Sequence, residues 1–163
     1  MILGMTVYTF IHVLLSLIGI ASGLIVLYGF LTANPLKDWT FVFVLTTVAT
    51  VLTGFGFPVK GFTPAIGVGI LSTLLLIAVI LGRYVFHMAG PWRAVFVITS
   101  VIALYFNVFV FIAQAFQKIP ALHALAPTGS EPPFAVVQGL TLIGFVIAGF
   151  FSAKRFHPLT VQA

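Results

Sequence analysis

The side chains of this sequence that can hold a proton, a ligand or a metal ion are few, and most lie inside or beside long apolar runs. His12 is followed at i+4, i+7 and i+11 by Ser16, Gly19 and Gly23, a spacing that lines one face of a helix. Thr46, Thr50 and Thr53 repeat such a face. Ser100, Asn107 and Gln114 recur at seven-residue intervals, and Gln138 with Thr141 mark the last run. A histidine in apolar surroundings is a candidate for proton or ligand chemistry, because it titrates near neutral pH and is costly to place there. An amide in the same setting needs several hydrogen-bond partners. Packing is the other use of these faces: Ser and Thr can bond back to their own helix. Gly19-xxx-Gly23 and Ala65-xxx-Gly69 have the spacing that lets helices approach.

The remaining chemistry is gathered in one stretch, QKIPALHALAPTGSEPPF, from Gln117 to Phe134. It holds four of the nine prolines, His123, and Glu131, one of only two acidic residues. His12, His123 and Glu131 are the ligand types of a two-histidine, one-carboxylate metal site, but their spacing selects no metal and none is assigned. For haem, the four histidines sort into His12 with His123 and His87 with His157 as candidate axial ligands. A quinone site needs a proton acceptor beside an apolar slot. Glu131 or His123 above His12 offers one, with Phe116 and Phe134 placed to contact a ring. No combination of residues forms a catalytic set.

The elements that position these residues follow from composition. The chain has 163 residues, 61% of them hydrophobic and only 6% charged, against about 25% charged in soluble domains. Mean hydropathy is +1.26. This is the composition of an integral membrane protein. The net charge of +5 points to anionic lipid headgroups and not to nucleic acid, because the basic residues flank apolar runs. The absence of cysteine excludes disulfides and thiolate metal sites.

Five runs, near 5–32, 39–57, 65–87, 93–117 and 134–153, are each long enough to cross a bilayer. The expected fold is a single all-α transmembrane domain, a bundle of five helices. The first run lacks a preceding basic residue and a cleavage site, so it reads as a retained anchor. Lys37, Arg83, Arg93, Lys154 and Arg155 fall on one side of this layout, and Lys60 and Lys118 on the other. The excess places the N-terminus outside and the C-terminus in the cytoplasm. Arg83, Arg93, Lys154 and Arg155 then form a collar suited to lipid headgroups. The loop 118–133 becomes extracytoplasmic and, stiffened by its prolines, can act as a lid.

The expected site is a polar pocket open to the outer side, walled by the first, second, fourth and fifth spans and roofed by loop 118–133. His12, Thr50, Thr53, Asn107, Gln114, His123, Glu131 and Gln138 are its candidate ligand-binding residues. It would hold a small or lipophilic ligand, or the protein would serve as a subunit of a membrane assembly or a homo-oligomer. A quinone- or haem-associated redox component is the alternative. An oligomeric channel or transporter is another, although no Asp or Glu falls within a span to couple transport to ions.

The loop LHALAPTGSEPPF, with the preceding NVFVFIAQAFQK and the earlier TTVATVLTGFGFP, resembles a group of small bacterial inner-membrane proteins. The likeness spans nearly the whole chain. It implies bacterial inner-membrane residence and a five-span layout, and it brings no activity, cofactor or catalytic residue. Length and helix count are also similar to the translocator-protein family of porphyrin and sterol binders, but the two tryptophans do not supply that family's tryptophan-rich pattern.

Overall fold

The computed structural model describes residues 5–58 and 61–158. Helix α1 spans Val7–Leu31, α2 Lys37–Phe55, α3 Pro64–Ile80, α4 Trp92–Lys118, α5 Pro120–Leu125 and α6 Pro132–Arg155. Leu81–Val85 continue α3 as a π-helical turn. Five helices are long and apolar enough to cross a membrane: α1, α2, α3 with its π turn, α4 and α6. No strand occurs among the described residues.

Local sequence explains most helix starts. The Thr6 and Thr63 side chains accept from the amides of Thr9 and Ile66, capping α1 and α3. Pro64, Pro120 and the Pro132-Pro133 pair occupy first-turn positions, where a missing amide donor costs nothing. The prolines account for two departures from expectation. Loop 118–133 is not wholly irregular, because Pro120 initiates α5 where a helix break was read. The fifth span begins at Pro132, two residues early, and carries Lys154 and Arg155 in its last turn. Lys60, counted in the charge balance, lies outside the described residues.

Helix α4 is central, packing against α1, α3 and α6, while α2 joins α1 to α3. The main hydrophobic core occupies the half of the bundle away from loop 118–133, where Val26, Phe30, Phe43, Val79, Phe96 and Phe156 are buried together. Two glycines set its tightness. A Cβ at Gly23 would lie 2.5 Å from Leu104 and 2.9 Å from the Phe43 ring, and one at Gly82 would lie 3.1 Å from the Trp92 carbonyl. Bulk at either site would push helices apart.

At the far end Phe86 stacks on Trp92 at 4.1 Å. The turn between them holds His87 and Met88 at φ of 48° and 59°, a region costly for residues with a Cβ. Arg93 donates to the carbonyls of Ala153 at 2.9 Å and Phe156 at 2.7 Å. It thereby satisfies two of the acceptors that the end of α6 leaves open.

Candidate functional site

The inward stripes of α1 and α2 meet first at the loop end. His12 Nδ1 lies 2.8 Å from the Thr53 hydroxyl. That hydroxyl donates its one proton to the Ala49 carbonyl at 2.7 Å, so it accepts from His12. The proton of the neutral imidazole is therefore on Nδ1, and Nε2 is left as an acceptor. Phe57 stands edge-on to the ring at 5.1 Å, and the Tyr8 hydroxyl donates to the Thr53 carbonyl.

One level deeper three helices touch at Gly19. A Cβ there would approach the hydroxyls of Thr46 and Thr47 and the Asn107 amide at 3.3, 3.4 and 3.6 Å. Asn107 donates to Thr47 at 3.4 Å, a long bond that satisfies little of a buried amide. Thr46 and Thr50 donate to Val42 and Thr46 carbonyls of their own helix. Much of the α2 stripe is thus packing and back-bonding.

The other candidate residues do not join this cluster. Gln114 is exposed on the α4 face that carries Asn107. Gln138 is buried against α4, where its Nε2 donates to the Phe109 carbonyl at 3.1 Å. His123 is exposed on α5. Glu131 is turned into its own loop, accepting from the Thr128 amide at 3.0 Å, the Thr128 hydroxyl at 2.9 Å and the Ser130 amide at 3.1 Å. Burial alone would raise its carboxyl. These donors and its own amide outweigh that and hold it down at about 2. Among the described residues no three His, Cys, Asp or Glu side chains come together, so His12, His123 and Glu131 do not assemble as a ligand set.

The space beneath the loop lies instead between α4 and α6. It is a cavity of about 300 Å³ lined by Ala113, Phe116 and Gln117 of α4, Thr128 and Gly129 of the loop, and Phe134 of α6. Phe116 and Phe134 meet edge to face at 5.4 Å. The expected walls of the first and second spans are replaced by this single seam, because α6 packs chiefly on α4 and the loop follows it. Further along the seam is an apolar groove, also about 300 Å³, lined by residues including Ile98, Tyr105, Phe106, Leu142, Phe145 and Val146.

Of the basic collar, Lys154 and Arg155 are exposed and lie over the rings of Phe150 and Phe151 at 5.9 and 5.4 Å. Arg83 lies 5.8 Å from the Phe96 ring, and Arg93 is engaged by the end of α6.

Gln117 carried no signal of its own, and Thr47 and Thr128 are the site residues that their types alone did not single out. Two signals pointed to them. Thr47 is adjacent to Thr46 on the same helical arc, and Thr128-Gly-Ser-Glu131 has the spacing of a capping box. The prolines shift that box upstream, so the Thr128–Glu131 bonds stiffen the loop and do not cap α6. No protein-family profile, curated protein or solved structure matches the chain.

Proposed function

We propose that the chain is a multi-pass protein of the bacterial inner membrane, with its N-terminus outside and C-terminus in the cytoplasm, that binds a small lipophilic ligand beneath loop 118–133. The observation that carries this reading is the cavity between α4, α6 and residues 126–129, whose volume of about 300 Å³ is at the small end for ligand sites. Its lining sets the Phe116 and Phe134 rings beside a comparable share of polar surface, to which Gln117, Thr128 and Gly129 contribute, so it can meet both a ring and its polar substituents. A ring of quinone or comparable size suits it. The loop above is stiffened by Glu131 and its donors, as a roof requires. His12 and Thr53 brace the neighbouring helices in this reading.

Native mass spectrometry from mild detergent tests it. A retained non-lipid mass that is lost in Ala113→Phe, which fills the cavity, is the expected result. Retention unchanged by Ala113→Phe refutes the site. Orientation is tested separately. With no cysteine in the sequence, Thr128→Cys should react with a membrane-impermeant maleimide in intact spheroplasts, and labelling only after lysis refutes the proposed topology.

A second reading, a subunit of a membrane assembly, is favoured by α6. It is the least buried of the five long helices, and Gly139 and Gly144 face open space. The two glycines point to different sides of α6, and either allows close approach of another helix at its own position. Cross-linking from Gly144→Cys in native membranes should then capture a neighbour, and exclusively lipid-facing behaviour rejects this reading.

A further inference from the structure

We infer that the cavity beneath the loop and the apolar groove further along the α4–α6 seam are two halves of one site, which takes a single-chain amphipathic lipid. This rests on the ligand-binding reading above and names the ligand class. The two spaces share helix faces. On α6, Phe134 lines the cavity and Leu142, Phe145, Val146 and Gly149 line the groove. With Gln138 between, these positions repeat at three or four residues and so form one stripe. On α4 the same holds for Phe116 and Ala113, then, with Phe109 between, Tyr105, Ile102 and Ile98. From Phe134 to Leu142 is eight residues, about 12 Å along the helix. A chain leaving the cavity reaches the groove after about that distance.

The two halves differ in chemistry as a head and a tail differ. Gln117, Thr128 and Gly129 give the cavity polar groups, whereas the groove is lined by apolar and aromatic side chains with Tyr105. Gly149 deepens the groove, since a Cβ there would reach Val101 at 3.3 Å. At the junction stands Gln138. Its Nε2 is fixed on the Phe109 carbonyl, so its orientation is assigned by that acceptor, and its Oε1 is buried without a partner. An orphaned acceptor is costly. Gln138 lines neither space, so the head is met by Gln117, Thr128 and the loop backbone of the cavity, and the ligand class is a single hydrocarbon chain with a hydrogen-bonding head.

The probes are monooctanoylglycerol and monooleoylglycerol, which share a head and differ in chain. Retention by the purified protein is read by native mass spectrometry across a concentration series. Wild type should hold both. Val146→Trp, at a position 63% exposed, obstructs the groove without loading the core. It should weaken monooleoylglycerol about tenfold, the loss of contact with about two methylenes, and leave monooctanoylglycerol unchanged. Ala113→Phe should weaken both. Leu142→Trp provides a second groove variant, and thermal melting confirms that each variant is folded.

If Ala113→Phe weakens both probes while neither groove variant discriminates between them, the cavity reading stands and the two-part site is overturned. Equal weakening of both probes by the groove variants overturns it as well. If no substitution alters either probe, the retained lipid is annular, and both the inference and the cavity reading fall. Failure of wild type to retain either probe overturns the ligand class, and the Ala113→Phe test on the endogenous adduct then judges the cavity alone.

Discussion

His12 and Thr53 are forty-one residues apart in sequence and 2.8 Å apart in space, and their bond joins α1 to α2 where the main core has thinned out. The direction of that bond, from Nδ1–H to a hydroxyl already donating to its own helix, makes the histidine a structural donor. His12→Ala and Thr53→Val should each lower stability by about 1 kcal/mol, with a coupling of about 0.6 kcal/mol in the double mutant. Reversible unfolding in mixed micelles measures this, and additive single effects would show that the bond contributes nothing.

Glycines on α1 and α6 should respond in opposite ways. Gly23→Ala forces a methyl group against Leu104 and Phe43 and should cost about 1–3 kcal/mol. Gly144→Ala meets nothing within 4 Å and should be neutral or stabilise by up to about 1 kcal/mol, through helix propensity. Thermal melting of the two variants in one detergent compares them directly. Similar losses at both sites would contradict the packing described for α1.

Glu131 should keep the loop ordered into strong acid. Its carboxyl lies at about 2, below the ordinary 4.5. A lowered value in the folded state means stabilisation that is fully present above 4.5 and lost as pH falls through about 2. The amide shifts of Thr128 and Ser130, followed by NMR in acid, should titrate near the lower value. A midpoint at the ordinary value would refute the hydrogen-bonded loop, and Glu131→Gln should abolish the titration.

Arg93 should matter more than its neighbours in the basic collar. Arg93→Ala removes two charge-assisted bonds to the end of α6 and should cost about 2–3 kcal/mol, with Arg93→Lys recovering part, since both bonds leave the single nitrogen Nη1 and an ammonium can also donate twice, from a shorter side chain. Lys154→Ala and Arg155→Ala should leave stability within about 0.5 kcal/mol and reduce binding of anionic lipid by about 1 kcal/mol each. Melting curves and lipid retention separate the two behaviours. Equal stability losses at all three would make the collar one structural unit.

The five spans were legible because apolar runs of this length have one common structural use and the polar breaks between them are sharp. The pairing of the α1 and α2 stripes through His12 and Thr53 was partly legible too, since inward stripes must meet somewhere. The partner of each stripe was not. Gln138 turned to the Phe109 carbonyl and not to His12, because α6 sits beside α4, and no local pattern encodes that adjacency. Gln114 continues the Asn107 face, but the face is open at its depth. Glu131 was read as a pocket residue because it is the sole acid in its loop. Its hydrogen bonds are local, to Thr128 and Ser130, and it serves the roof and not the space below it.

The bond network at the end of α6 has a consequence for the order in which the protein is made. Phe156 closes on Phe30 at 4.8 Å, Phe30 in turn meets Phe96 at 5.5 Å, and the carbonyls that engage Arg93 belong to Ala153 and Phe156. Ala153 and Phe156 do not exist until the ribosome has translated the last of the five long helices. The first four long helices are therefore made with the Arg93 guanidinium awaiting its acceptors and an aromatic cluster missing one wall. A chain interrupted between the end of α4 and Ala153 has Arg93, Phe30 and Phe96 in place but neither the carbonyls nor the ring that complete this face.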